Sequence, residues 1–416
     1  MPEPDHNFSR RIAMGIILSS PIAIATGLHC SHESSHSTNA GADGALRALE
    51  IRTNPIVPRV YPPNLREPID HALLTSALDA VDTHFVSRRL PVPLIYHAVR
   101  MWGPTKGFSI LRSIDSKPSW KRADRPLISV MLDDEQFTIY SSYGLKSLLR
   151  RSPYGVQVAS YQAIDKADAG NASHVGKYHD TMAKLGVPST TPLKLSDGST
   201  ATLADAIRDE AYRFRPEVEI EWISQALICY MSHPVWINRF DEQVSLNNIV
   251  SRVASRSVGT GDCDGTHIAH VLATALAVDR EKPYLTPDVR TIAQSYLSHL
   301  CALLSENQRS DGTWDKRWFD VAKSRRGQID KSFVPLAEMI GVTGHHLEWL
   351  LITPPEFRIS DDALERALQA VIGLMPRASS AIQEDWHVYA PVSHAGRAIL
   401  MATGEPVHAG VSNVAR

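Results

Sequence analysis

Two kinds of helical segment alternate along most of this 416-residue chain, and that alternation limits the fold more than any other feature. Asp70–Val86 carries apolar residues at Leu73, Leu74, Ala77, Leu78 and Val81, the stripe of a helix with one buried face. Leu94–Trp102 (LIYHAVRMW), which follows, is apolar nearly all round. The same succession returns. Ala201–Phe214, Glu242–Arg256, Pro287–Leu304 and Ser360–Leu374 are striped, with Ser360 placed to cap the last of them. Val218–Met231, Thr266–Val278, Phe333–Leu351 and Ser393–Met401 are more uniformly apolar. A striped helix meets water on one side, whereas a helix apolar all round is buried. The expectation is an inner ring of buried helices inside an outer ring.

The spacing supports a repeat. Trp222 and His270 are 48 residues apart, as are His346 and His394. A unit near 50 residues fits two helices and their turns. His267 and His346 stand 79 apart, and a polar insertion around Arg309–Gln328 absorbs the excess. These signs point to an all-α chain built as an α/α toroid of helical hairpins over 65–410, with an irregular insertion around 112–200. In that insertion Leu127–Tyr143 reads as a short β-hairpin, Asp165–Ser173 as a loop and Val175–Gly186 as another helix.

Before the helices, Ser9-Arg10-Arg11 precedes an uncharged run, Ile12–Leu28, and Ala23-Ile24-Ala25 fits a signal peptidase site. Residues 1–30 therefore read as a signal peptide or membrane anchor, and 31–64 as a linker. The linker opens with the small, polar Ser31–Asp43 and continues into the proline-rich, extended Asn54–Pro68. An exported protein is expected: periplasmic, secreted or envelope-anchored, touching membrane only through an uncleaved N-terminal segment. The net charge of −2 gives no electrostatic case for nucleic acid. Walker A, Rossmann, HExxH and GxSxG patterns are missing from the sequence, which argues against nucleotide hydrolysis and serine hydrolase chemistry.

Three stretches concentrate chemistry. Gly259–Ala275 (GTGDCDGTHIAHVLATA) places Asp262, Cys263 and Asp264 in a glycine-rich turn, with His267 and His270 on the helix that follows. Imidazole beside carboxylate is a workable acid/base pair. Asp264 also suits a helix cap. Asp262 and Cys263, with His267 and His345 or His346, offer zinc-type ligands. Gly341–Leu351 adds His345, His346, Glu348 and Trp349, a lining suited to a sugar, with the indole stacking and the polar groups binding hydroxyls. Pro391–Ala402 adds His394 and Arg397, the latter able to bind an anionic group or to pair with Glu348 or Asp264. Glu221 and Trp222 hold the matching place on an earlier inner helix. The expectation is that the N-terminal ends of the inner helices pool around one cavity. There His267, His346, His394, Asp264 and Glu348 would be catalytic, and Trp349, Arg397, His345, His270, Trp222 and Glu221 would bind a small-molecule substrate such as a sugar.

The helix-pair pattern resembles the toroids of terpenoid cyclases, protein prenyltransferases and several carbohydrate-active enzymes. Gln308-Arg309-Ser310-Asp311-Gly312-Thr313-Trp314 is similar to the cyclases' QW motif, which implies a structural tie between helices. Gly344-His345-His346-Leu347-Glu348-Trp349 resembles the G-H-x-x-E-W segment of the N-acylglucosamine 2-epimerase group, and Ser393-His394-Ala395-Gly396-Arg397 is similar to that group's C-terminal histidine and arginine. The second resemblance implies a sugar isomerase or epimerase. The first implies an isoprenoid-handling protein in which Asp262 and Asp264 act as acids or metal ligands. A non-catalytic binding or scaffold protein of the cell envelope is the third expectation.

Overall fold

A computed structural model describes residues 49–82, 92–104, 126–141, 147–160, 174–216, 220–261, 263–320, 336–384 and 386–404. The expected signal and the first part of the linker, the loop over 165–173 and Asp262 lie outside the described residues. The chain is predominantly helical with a few short strands.

The helices are α1 His71–Val81, α2 Val92–Trp102, α3 Ser129–Leu132, α4 Asp134–Tyr140, α5 Lys177–Lys184, α6 Leu203–Arg213, α7 Ile220–Tyr230, α8 Leu246–Ala254, α9 Thr266–Glu281, α10 Pro287–Asn307, α11 Leu336–Ile352, α12 Asp361–Leu374, α13 Ser379–Glu384 and α14 Trp386–Thr403. The strands form antiparallel pairs: β1 Leu149–Ser152 with β2 Gly155–Val158, β3 Pro192–Lys194 with β4 Thr200–Thr202, and β5 Val235–Ile237 with β6 Gln243–Ser245. The last two pairs lead directly into α6 and α8, and so shorten those striped segments at their starts.

Local chemistry fixes the striped helices. Asp70 accepts hydrogen bonds from the amides of Ala72 and Leu73 at the head of α1. Thr202 and Asp205 form a reciprocal capping box on α6, and Ser245, Thr286 and Ser360 cap α8, α10 and α12. Such caps satisfy amides that the first helical turn leaves free, at roughly 1 kcal/mol each. The other class is buried. All residues of α7 are inaccessible, as are Thr266–Asp279 of α9 and Ile340–Ile352 of α11.

Packing among the buried helices runs α5 to α7, α7 to α9, α9 to α11, α11 to α14, α14 to α2, and from α2 back to α5. The α11–α14 contact is the most extensive, and glycine permits it. A Cβ on Gly344 would lie 2.3 Å from the Ala395 amide nitrogen, and one on Gly341 would lie 2.4 Å from the Cβ of Pro391. The striped helices α8, α10 and α12 pack against the buried ones from outside.

The proline-rich segment lies over one end of the buried helices. Arg52 and Ile56 donate backbone hydrogen bonds to the carbonyls of Tyr230 and Cys229, and Tyr61 donates to that of Leu351, all in the last turns of α7 and α11. The expected linker is therefore held to the helices from Leu49 onward.

Two expectations need correction. Leu127–Tyr143 is not a hairpin. Asp133 accepts from the amides of Glu135 and Gln136 and starts α4, while the carboxylate of Asp134 receives the amides of Leu148 and Leu149. Capping aspartates outweigh β-branched residues here, and the hairpin of this region falls at β1–β2. Nor do the histidines of the two late stretches sit at helix N-termini. Helix α11 begins at Leu336 and α14 at Trp386, so His345, His346 and His394 lie mid-helix. Pro391 sits inside α14.

The Gln308–Trp314 turn behaves as a tie. Gln308 Nε2 donates to the carbonyls of Gly312 (3.0 Å) and Ala363 (2.8 Å), which joins the end of α10 to the start of α12. Trp314 Nε1 donates back to the Leu304 carbonyl at 2.9 Å. Gly312 has φ +87°, and a Cβ there would come within 2.5 Å of the Arg366 carbonyl oxygen.

Candidate functional site

One polar or aromatic side chain from each of six buried helices meets the next in a closed circuit. Lys177 of α5 stands over the Trp222 ring of α7, 5.2 Å from its centroid. Trp222 lies 3.9 Å from His267 of α9, centroid to centroid, and His267 lies 5.3 Å from His345 of α11. His345 packs on His394 of α14 at 3.3 Å, and His394 on His97 of α2 at 5.0 Å. His97 Nε2 then meets Lys177 Nζ at 3.0 Å. All six are buried.

Three residues further along each helix lies a second polar set: Arg100, Asp180, Gln225, His270, Glu348 and Arg397. Residues i and i+3 share a helix face, so each buried helix presents two polar side chains to the same interior. This second set is also buried. Glu348 is its hub. It accepts from Arg100 Nη2 at 3.2 Å and Arg397 Nη1 at 3.4 Å, and meets His394 Nδ1 at 2.7 Å. Arg100 also contacts the His394 ring. Lys184 pairs with Asp180 at 2.9 Å.

Below this level a pocket opens among Asp180, Lys184, Gln225, His270, Thr274 and Arg397. It is small and partly open to solvent, and Val57, Pro58 and Val60 of the proline-rich segment border it.

The electrostatics follow from burial. Loss of solvent lowers the proton affinity of His97, His267, His270 and His394, and that of His345 to about 3, so the imidazoles are neutral. Burial, reinforced by Arg100, brings Lys177 down to about 7; burial brings Lys184 to about 8. Burial alone would raise the Glu348 carboxyl, but the Arg100 and Arg397 guanidiniums outweigh it and hold the group at about 2. Four cationic side chains (Arg100, Lys177, Lys184, Arg397) therefore face two carboxylates, Asp180 and Glu348. Several donors and acceptors have no partner among the described residues: Arg100 Nη1, Arg397 Nε, Trp222 Nε1 and both ring nitrogens of His267.

The sequence-predicted residues divide. His267, His345, His394 and Trp222 belong to the circuit, and His270, Glu348 and Arg397 to the level below it. His346 turns the other way. It sits 5.5 Å from Trp314, 4.6 Å from Trp318 and 6.1 Å from Trp349, and accepts from Trp349 Nε1 at 3.2 Å. Adjacent residues on a helix point about 100° apart, so His345 and His346 cannot both face the interior. Trp349 goes with His346 into that aromatic cluster, away from the circuit. Asp264 is exposed, and its carbonyl is held by Trp318 Nε1 at 3.0 Å. It does not cap α9, whose N-cap is Gly265 at φ +81°. Glu221 is buried and pairs with Arg256.

Two groups of side chains have metal-ligating geometry among the described residues: Cys263, His267 and His345, and His345, Glu348 and His394. Within each group the ligand atoms lie within 4.8 Å of one another.

Sequence reasoning missed His97, Arg100, Lys177, Asp180, Lys184 and Gln225. A signal for four of them existed. His97/Arg100 and Lys177/Asp180 repeat the i, i+3 polar pair of His267/His270. Among the described residues no helix is long and apolar enough to cross a membrane. Compared with known proteins, the chain matches no family model, no curated protein and no solved structure.

Proposed function

We propose that the chain is an α/α toroid whose interior is an active site for a small polyhydroxylated substrate carrying an acidic group, such as an acidic sugar. The observation that carries this reading is the closed circuit with its second polar level. Two functional side chains from each of six helices are costly to bury, and a purely structural core has no use for such a set. At the pocket, Arg397 keeps an Nε with no partner among the described residues to meet an acidic group, and Gln225, Thr274 and His270 supply hydroxyl partners.

The chemistry that fits is proton transfer next to a carbonyl. Efficient proton transfer needs a group titrating near the working pH. Lys177, at about 7, is that group, and its hydrogen bond to His97 fixes its position. The neutral imidazoles of His394, His345 and His267 offer lone pairs and N–H groups to the carbonyl and hydroxyls. Glu348, clamped between two guanidiniums, orients His394 and Arg397 and does not exchange protons. The isoprenoid alternative calls for a deep aromatic wall, and three of the tryptophans here close on His346 instead. Export, inferred from the apolar run over 12–28, is checked by the N-terminal mass of the secreted protein.

The test is deuterium wash-in. The full chain is incubated in D2O with neutral sugars, keto sugars and uronic acids, and C–H to C–D exchange is followed by NMR. Exchange on an acidic sugar is expected, with K177M and H394Q losing it and H346Q keeping it. Exchange on no sugar, or exchange that survives K177M and H394Q, refutes the proposal.

A further inference from the structure

We propose that Cys263, His267 and His345 bind a zinc-like divalent ion at the exposed end of the ring, a site that shares His267 and His345 with the sugar reading but is tested by metal binding alone. One thiol and two imidazoles are a zinc-type donor set, and three protein ligands leave a fourth tetrahedral position for water or substrate. The three ligand atoms come from the turn before α9, the first turn of α9 and the middle of α11, yet all lie within 4.8 Å of one another. Zinc bonds of about 2.3 Å to sulfur and 2.0–2.1 Å to nitrogen put ligands about 3.3–3.6 Å apart. The closure needed is therefore at most about 1.5 Å for any pair, met by adjustment of exposed Cys263 and by rotation of the two imidazoles.

His267 supplies the second, independent observation. It is 1% exposed, and neither ring nitrogen has a partner among the described residues. A buried imidazole with no hydrogen bond is costly, and a metal bond to one nitrogen removes much of that cost.

The turn is built to present the thiol. Cys263 and Asp264 are consecutive non-glycine residues in the left-handed region, at φ +48° and +57°. That conformation costs roughly 1–2 kcal/mol per residue and persists only where the surroundings impose it. They do so here. Gly265 has φ +81°, and a Cβ on it would come within 2.3 Å of the Val258 carbonyl oxygen. Trp318 Nε1 pins the Asp264 carbonyl at 3.0 Å. The clamped turn brings the Cys263 sulfur within 4.8 Å of a ring nitrogen of His267 and of His345.

The second ligand group is the poorer site. Glu348 already serves two guanidiniums, so its charge is spent. A thiolate at Cys263 brings the negative charge that a dication needs beside the ring's cationic residues.

The experiment uses the full chain, purified without chelator and assayed for bound metal, then reloaded with Co(II) and with Zn(II). We expect one metal per chain and a thiolate-to-cobalt charge-transfer band. In C263S the band should vanish, and zinc binding should weaken beyond the roughly 10–100-fold typical of losing an outer-shell partner. H345Q should weaken zinc binding similarly while keeping the band. Because Cys263 is exposed, C263S tests the site without disturbing the core. As a second readout, zinc should slow alkylation of Cys263 by at least about tenfold, as expected for a thiolate held by metal. A folded chain that retains no zinc, a cobalt spectrum without the band, zinc affinity unchanged in C263S, or alkylation indifferent to zinc would each overturn the proposal.

Discussion

Replacing Glu348 with glutamine isolates the charge at the centre of the molecule. The substitution keeps the shape but turns one accepting oxygen into an NH2 donor, and it takes from the buried Arg100 and Arg397 guanidiniums the carboxylate that both of them pair with. The folded carboxyl titrates at about 2 against an ordinary 4.5. At about 1.4 kcal/mol per pH unit, that depression corresponds to about 3 kcal/mol in favour of the charged form. Breaking a buried ion pair by removing one partner typically costs 3–5 kcal/mol, which agrees. With an unfolding entropy of ~2.1 cal/mol/K per residue, a unit of this size should lose about 4 °C in Tm. The sign of the pH dependence follows. A depressed carboxyl stabilises above its unfolded value and loses that stabilisation as pH falls towards the folded value. The gap between wild type and E348Q should therefore be full at pH 7, smaller by about 1.4 kcal/mol at pH 3.5, and gone below about pH 2. Calorimetry of both proteins at pH 7 and 3.5 measures it. A Tm difference under about 1 °C at pH 7, or a gap that does not narrow on acidification, refutes Glu348 as the ionised hub.

Two further stability predictions use other parts of the interior. Gly344→Ala places a Cβ 2.3 Å from the Ala395 nitrogen and should cost about 1–3 kcal/mol by forcing α11 and α14 apart; Gly373→Ala in α12 meets nothing within 4 Å and should be neutral or stabilising by up to about 1 kcal/mol. Thermal melts of the pair decide it, and equal effects would disprove the close approach of α11 and α14. For Lys177, the folded amine titrates at about 7 and the unfolded one at 10.5, so between those values the unfolded chain binds more protons and stability rises with pH. K177M removes the buried ammonium and should be more stable than wild type at pH 6, with the advantage shrinking towards pH 10. Chemical denaturation across that range measures it, and a pH-independent difference would place Lys177 in solvent.

How much was legible in the sequence depends on whether a feature is local or assembled. Helix identity was largely readable, because the cap at Ser360 and the apolar stripes act within a few residues of themselves. The distinction between buried and striped helices was readable for the same reason, and so was the turn at Gln308–Trp314. The hairpin expected over 127–143 failed where Asp133 and Asp134 found nearby amides that residue type alone does not disclose. The site was legible in part. His267, His345, His394, Glu348 and Arg397 stand out in apolar helices, but the choice between His345 and His346 turns on rotation about the helix axis, which is set by where Gly341 and Gly344 let α14 approach. His97 lies 80 residues from Lys177, and Arg100 lies 248 from Glu348 and 294 from His394. Only the packing of α2 and α5 against their neighbours brings them into the circuit, and with them comes the excess of buried positive charge that the sequence, nearly neutral overall, conceals.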